Sequence, residues 1–421
     1  MKSLGERTVP SPLRFIPGFR FVPDDTSVAS VVEKRADVPY APVLAEHAGP
    51  REKIFFEPST TRVGIVTCGG LCPGVDNVVR SIVLELWHRY GVREILGFRW
   101  GYAGIAPDAR PLRLDPGIVC DIHTRGGTFL GTSRGRRDIA LMADGLRAHK
   151  VDVLVAIGGD GTLRGAHALH EEITRRGDRI GVVGVPKTID DDIAFVDKTF
   201  GFDTAVEVAR TAIHGAHVEA VGTDRGVSVV KLMGRDSGFI AAMATIASAD
   251  VNFCLIPEIP FDLEGPEGFL AALEARLDER GHAVVVVAEG CGARLAGENA
   301  ERDASGNVRY ASADADVGSF LRDRIARHFA EKKLPASIKY IDPSYLIRSV
   351  PANASDAVFC DSLGRHAVHA AMAGKTDLVI GRWHRVFTHI PLPLATSHRR
   401  VVDRELWQAV LEATGQPPLV P

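Results

Sequence analysis

Three short loops in this chain carry the residue types that phosphate chemistry needs. They are Thr67-Cys68-Gly69-Gly70-Leu71-Cys72-Pro73-Gly74, then Gly158-Gly159-Asp160-Gly161-Thr162, then Pro186-Lys187-Thr188-Ile189-Asp190-Asp191-Asp192. Glycine lets backbone amides approach a phosphate closely, and a strand-to-helix turn adds the field of the helix N-terminus. Asp160, with Gly on both sides, presents an unobstructed carboxylate that could hold Mg²⁺ against nucleotide phosphates. Asp190 and Asp192 lie two positions apart, so an extended loop would project them to one side with Thr188 beside them. A carboxylate there can accept the proton of an acceptor hydroxyl while another positions the acceptor or a metal. The combined chemistry is phosphoryl transfer.

The surrounding pattern predicts how these loops are held. Each follows an aliphatic run, Val63 to Val66, Val151 to Ile157 and Ile180 to Val185. A parallel sheet would bring all three to the carboxyl ends of its strands, where open α/β sheets bind ligands. Val78, Val79, Ile82, Val83, Leu86, Trp87 and Tyr90 recur at helical spacing, predicting a helix directly after the first loop. Further helices are expected near 138–149, 162–175, 203–219, 236–248, 266–280, 316–332 and 353–373. Strands are expected at Val227–Leu232, Val251–Ile256, Ala283–Ala288, Ile338–Ile341 and 377–381. Residues 1–60, rich in Pro and charge, read as an N-terminal extension, and Gly290–Ser312 as a surface loop. The alternation gives an α/β chain with two parallel-sheet lobes. One lobe takes 61–200 plus 349–390, and the other 201–348 plus 391–421.

Composition narrows the function classes. A net charge of −3 argues against a nucleic-acid binder. No apolar run approaches the ~20 residues of a membrane span, and the start lacks a signal-peptide stretch. Six scattered cysteines predict reduced, mostly buried thiols in a cytoplasmic protein. Cys68 and Cys72 have no second Cys/His pair at zinc-like spacing. His123, His214 and His217 are most simply structural or solvated.

Several further blocks accompany the loops in fixed order. These are His123-Thr124-Arg125-Gly126-Gly127-Thr128, Gly131-Thr132-Ser133-Arg134, Lys231-Leu232-Met233-Gly234-Arg235, Ala288-Glu289-Gly290, and Lys339-Tyr340-Ile341-Asp342-Pro343-Ser344-Tyr345-Leu346-Ile347-Arg348. With them the chain resembles the phosphofructokinase family from about Ala48 to Pro391. The stretch Ala48 to Phe56 is similar to the longer plant, parasite and bacterial subgroup. The resemblance implies the phosphofructokinase fold, two Rossmann-like parallel-sheet lobes. It also implies Mg²⁺, a fructose 6-phosphate substrate, and a homo-oligomer that is a dimer or tetramer. Effector residues would lie at subunit interfaces that the sequence does not place.

The resemblance also assigns roles. Asp190 would be the base for the 1-hydroxyl, with Thr188 and Asp192 flanking it. Gly70 and Arg134 would meet the transferred phosphoryl group, and Arg235 would assist from the sugar side. Met233, Gly234 and Glu289 would line the sugar site, while Lys339, Tyr345 and Arg348 would grip the 6-phosphate. The nucleotide side would comprise Gly69, Gly70, Tyr102, Arg134, Gly159, Asp160, Gly161, Thr162 and Lys187, with Asp160 the metal ligand.

Donor choice in the family tracks two positions. Gly161 leaves room for the α-phosphate of ATP where pyrophosphate-dependent members carry a second Asp. Lys187 is the opposite cue, but steric exclusion is harder to evade, so ATP is favoured over pyrophosphate. Asp191, where the family usually has Asn, gives three consecutive carboxylates; like charges would raise a pKa, giving a higher-pH requirement or a tighter Mg²⁺ dependence. Asp76 and Asp236 are unusual beside family blocks, and Gly226 replaces the Arg that short bacterial members offer to a neighbouring subunit. Another ketose phosphate, such as sedoheptulose 7-phosphate, is the alternative acceptor. NAD or lipid kinases share Gly-Gly-Asp-Gly but do not explain Pro186 to Asp192. Intact Asp160 and Asp190 argue against a silent sensing subunit.

Overall fold

The computed structural model describes residues 1–32, 41–133, 135, 138–292, 301–302, 308–309 and 316–419. The chain divides into two compact units, Met1–Gly201 with Ser349–Arg399, and Phe202–Arg348 with Arg400–Pro421.

The first unit is built on a nine-stranded sheet. Its five central strands are parallel and lie in the order Glu94–Phe98, Arg62–Thr67, Val153–Gly158, Gly181–Pro186 and Leu378–Trp383. Helices cover such sheets on both faces, so the strands read as unbroken aliphatic runs. Val63, Ile65 and Val66 are fully buried, each contributing about 1.5–3 kcal/mol. Register decides where the loops fall. Thr67 lies opposite Ile157, and Gly158 opposite Pro186. The three loops therefore leave one edge of the sheet at the same level.

The helix after the first loop runs Val75–Leu84 and continues as a π-helical turn, Glu85–Tyr90. It starts later than a turn at Gly69-Gly70 would give. Gly74, with φ of 94°, caps it, and a Cβ there would meet Cys360 Sγ at 2.6 Å. Gly69 and Gly70 thus sit in a loop rather than on the helix N-terminus. Helix Ala354–Met372, capped by Asn353, packs against Val75–Leu84. Gly364 permits the approach, since a Cβ would stand 2.7 Å from Ser81 Oγ.

The antiparallel edge of the sheet was not visible in the sequence pattern. Leu378–Trp383 turns back into Val386–Pro391 through His384 and Arg385, both with positive φ. Leu44–His47 and Ser27–Ala29 then add outside it, so much of the expected extension is integral to the sheet. Their anchor is a buried charge network. Glu46 meets Arg51 at 3.0 Å, Lys375 at 2.8 Å and the fully buried His389 at 3.2 Å.

The second unit carries a four-stranded parallel sheet in the order Phe253–Leu255, His282–Ala288, Gly226–Leu232 and Ser337–Ile341. Its helices include Phe202–Val221, Phe239–Ser248, Phe269–Arg280 and Val317–Glu331. Helix Arg404–Thr414 returns from the C-terminal segment to this unit. Most of the Gly290–Ser312 segment lies outside the described residues. Its described part includes a two-residue antiparallel pairing of Glu301–Arg302 with Val308–Arg309.

Candidate active site

The first and third loops of the first unit are tied together by Lys187. This residue directly follows the Gly181–Pro186 strand, is buried, and donates from Nζ to the Gly70 carbonyl at 2.6 Å. Its own amide donates to Gly158 O at 3.0 Å, so all three loops meet at one lysine. Gly69, with φ of 90°, donates to Ser133 O at 3.2 Å, and its carbonyl accepts from Thr132 Oγ1 at 2.6 Å. The Gly131–Ser133 segment therefore backs the glycine loop. Arg134 lies outside the described residues.

Asp160 opens helix Asp160–Arg175 behind the Gly159 cap, at a position where the helix dipole favours negative charge. Burial raises its carboxyl pKa, opposed by Arg164 and Arg399, while Asp192 pushes it further up. The carboxylate meets Arg164 at 3.1 Å and Arg399 at 3.8 Å. A Cβ on Gly161 would have open space around it. Thr162 is buried and its amide bonds Gly159 O at 2.9 Å. Tyr102 is also buried and donates to the Thr162 carbonyl at 2.7 Å. Tyr102 and Thr162 thus buttress the loop through bonds within the protein.

The third loop is not extended, because Asp191 has φ of 55°. Alternation does not then set which way the three carboxylates point. Asp191 turns inward, accepting from the Thr199 amide at 2.7 Å, with the Thr199 hydroxyl 3.1 Å away. Its charge is committed to loop structure. Asp192 is buried too and accepts from Arg399 Nη1 at 2.7 Å and Thr188 Oγ1 at 3.2 Å. The Asp190 amide donates to Thr188 Oγ1 at 3.1 Å, and Asp190 remains partly exposed. Arg399 is the residue that sequence reasoning missed. Its backbone pairs with Ile193, a contact across some two hundred positions with no local signal.

Among the described residues no group of three or more His, Cys, Asp or Glu side chains is arranged to hold a metal by itself. Mg²⁺ commonly takes one or two carboxylates and completes its octahedron with water and substrate phosphates. A single half-buried Asp160 beside an open glycine fits that mode.

In the second unit, Met233, Gly234 and Arg235 follow strand Gly226–Leu232, and Glu289 follows His282–Ala288. The two loops are stitched together, Glu289 N to Leu232 O at 2.9 Å and Gly290 N to Gly234 O at 2.8 Å. Gly290 is required there, since a Cβ would lie 2.1 Å from the Arg235 carbonyl. Arg348 stacks over Tyr345 with its guanidinium carbon 4.5 Å from the ring centroid. Lys339 instead lies within its strand opposite Ser228 and pairs with Glu219 at 3.6 Å. The structure therefore pairs Tyr345 with Arg348 and directs Lys339 to a different partner. Gly226 has no room for a side chain, a Cβ falling 2.2 Å from Ala220 O. Arg225 is engaged with Asp278 at 2.6 Å and Pro335 O at 2.9 Å.

Comparison with known proteins places this arrangement. The family model "Phosphofructokinase" matches residues 62–371. The chain is 49% identical over 389 residues to an ATP-dependent 6-phosphofructokinase of Borreliella burgdorferi, covering 90% of this chain and 86% of that protein. It is 47% identical over 418 residues to an ATP-dependent 6-phosphofructokinase of Amycolatopsis methanolica, covering 97% and 90%. Among solved structures, a pyrophosphate-dependent phosphofructokinase from Marinobacter aquaeolei aligns with a TM-score of 0.67 at 20% identity, over 86% of this chain and 93% of that one. That likeness speaks to the fold alone. With a matching family model over most of its length and near-half identity to such relatives, the chain belongs to the phosphofructokinase family.

Proposed function

We propose that this protein transfers the γ-phosphoryl group of ATP to the 1-hydroxyl of fructose 6-phosphate, forming fructose 1,6-bisphosphate. The observation that carries the reading is the convergence of Gly70, Gly158 and the Thr188–Asp192 loop on Lys187, with Asp160 and Asp192 joined through Arg399. Relatives named ATP-dependent match nearly the whole chain, and the open space at Gly161 supports the larger donor over pyrophosphate.

The partly exposed Asp190 takes the proton from the 1-hydroxyl as its oxygen bonds to phosphorus and the bond to the leaving diphosphate breaks. Gly69 and Gly70 offer backbone to the phosphoryl group, and Arg134 supplies charge. Asp160 would hold Mg²⁺, which neutralises phosphate charge when bound. Met233, Gly234, Arg235 and Glu289 are assigned to the sugar, and Tyr345 and Arg348 to the 6-phosphate, with Lys339 the weakest member of that set. None of the six cysteines is in a disulfide and five are buried, which supports a reducing, cytoplasmic setting. No described helix is long and apolar enough to cross a membrane. A homo-oligomer, dimer or tetramer, is expected in sedimentation.

The test is product formation by the purified protein with ATP or pyrophosphate, against fructose 6-phosphate and sedoheptulose 7-phosphate. Exclusive use of pyrophosphate refutes the donor assignment, and exclusive use of the longer sugar refutes the acceptor. Asp190→Ala should cost ~10²–10⁴-fold in kcat while sugar phosphate still binds. Retained turnover unseats Asp190 as the base.

A further inference from the structure

Arg399 is placed where the proposed metal carboxylate and the acceptor loop come closest. Its Nη1 donates to Asp192 Oδ2 at 2.7 Å, and its Nη2 stands 3.8 Å from Asp160 Oδ2. Its backbone pairs with Ile193, directly after Asp192. From Asp192 the contacts continue to Thr188 Oγ1, which in turn accepts the Asp190 amide. One guanidinium thus links Asp160 to the backbone of the proposed base.

The two contacts differ in strength. Asp192 is 7% exposed, and a charge so buried requires a close partner. Asp160 is 20% exposed, and its Arg399 contact is the longer, while Arg164 already sits 3.1 Å from the same oxygen. Arg164 also donates to the Thr396 carbonyl at 3.4 Å. A divalent cation on Asp160 would be repelled by both guanidiniums, and the longer, weaker contact yields first. Arg399 would then keep its 2.7 Å bond to Asp192.

Resting on the kinase reading above, we propose that Arg399 is a positioning residue that competes with the divalent cation for Asp160 and transmits metal loading to the loop carrying Asp190. Through Arg399, one fork joins the donor and acceptor loops. The loaded site releases the donor end of that fork and leaves its grip on Asp192 intact. The acceptor affinity of the native protein consequently varies with free Mg²⁺.

Two measurements test this on the full chain. Mn²⁺ binding is read by electron paramagnetic resonance in the presence of a non-hydrolysable ATP analogue, without turnover. The fructose 6-phosphate KM is followed across free Mg²⁺ concentrations. Arg399→Gln should bind Mn²⁺ roughly fivefold or more tighter, the size of a modest coupling free energy. Its acceptor KM should lose the Mg²⁺ dependence of the native protein. Arg399→Lys keeps the charge but lacks the planar fork that spans two carboxylates. It should restore the native Mn²⁺ affinity with the Mg²⁺ dependence still flattened. Native Mn²⁺ affinity in Arg399→Gln, or native Mg²⁺ dependence in either variant, overturns the proposal. Should Arg399→Gln fail to fold, the Mg²⁺ dependence in Arg399→Lys decides by itself. A native protein that makes no fructose 1,6-bisphosphate counts against the kinase reading, and the Mn²⁺ comparison still stands.

Discussion

Replacing Asp191 by Ala and by Asn separates a structural carboxylate from an electrostatic one. Its side chain accepts from the Thr199 amide at 2.7 Å and lies 3.1 Å from the Thr199 hydroxyl. That hydroxyl has one proton, and its 2.6 Å contact to the Thr188 carbonyl has first claim on it. The amide bond is therefore the one at stake. A buried hydrogen bond to a charged acceptor is worth about 1.5–3 kcal/mol. Ala must also hold the left-handed conformation at φ 55°, which costs roughly 1–2 kcal/mol. Asp191→Ala should lose about 3–4 kcal/mol, lowering the melting transition of this unit by roughly 10 °C. Asn offers an amide oxygen to the same N–H and tolerates the left-handed region, so Asp191→Asn should melt within about 2–3 °C of the native protein. Its pH–rate profile and Mg²⁺ requirement should change little, contrary to the expectation from three consecutive carboxylates. Differential scanning calorimetry with pH-dependent kinetics measures both. Equal melting of the two variants, or a large shift of the pH profile in Asp191→Asn, refutes the reasoning.

Other perturbations follow from single contacts. Asp76 is buried, accepts the Phe129 amide at 2.9 Å, and burial lifts its carboxyl from 3.8 to about 6. A raised pKa means its contribution is full below the unfolded value and is lost as pH rises through the folded one. At ~1.4 kcal/mol per pKa unit, its ionisation costs about 3 kcal/mol above pH 6. Asp76→Asn should therefore raise the melting temperature at pH 8 and lose that advantage by pH 4; a pH-independent difference refutes it. Gly161→Asp has space to fold, yet its charge beside Asp160 should cut kcat/KM for ATP by at least ~tenfold. Unchanged ATP kinetics would remove Gly161 from the donor argument. Tyr102→Phe deletes the bond to the Thr162 carbonyl, worth about 1 kcal/mol, and should raise the ATP KM several-fold with little loss of kcat. A fall in kcat alone would place Tyr102 elsewhere in the reaction.

What was legible in the sequence had a local cause. Aliphatic runs ending in glycine or proline gave the central strands and the loops after them, because both signals lie within ten residues. The helix from Val75 was visible through its apolar spacing, but its start was not. That start depends on Gly74 lying against Cys360, nearly three hundred residues away. The hairpin through His384 and Arg385 escaped notice because a two-residue turn with positive φ usually carries Asn or Gly. The N-terminal strands read as an extension because Glu46 is neutralised in large part by partners far along the chain, Lys375 and His389.

By itself the sequence determined the family, the order of the three loops and the residue types they present. Short-range pattern and motif spacing are sufficient for that. Tertiary structure alone decided how those residues are used. It turned Asp191 inward onto Thr199, drew Lys187 onto the glycine loop, sent Lys339 to Glu219, and set Arg399 between Asp160 and Asp192. The physical reason is that a side chain's role depends on which opposite charge or donor packing brings within about 3 Å, and packing joins residues that the sequence holds far apart.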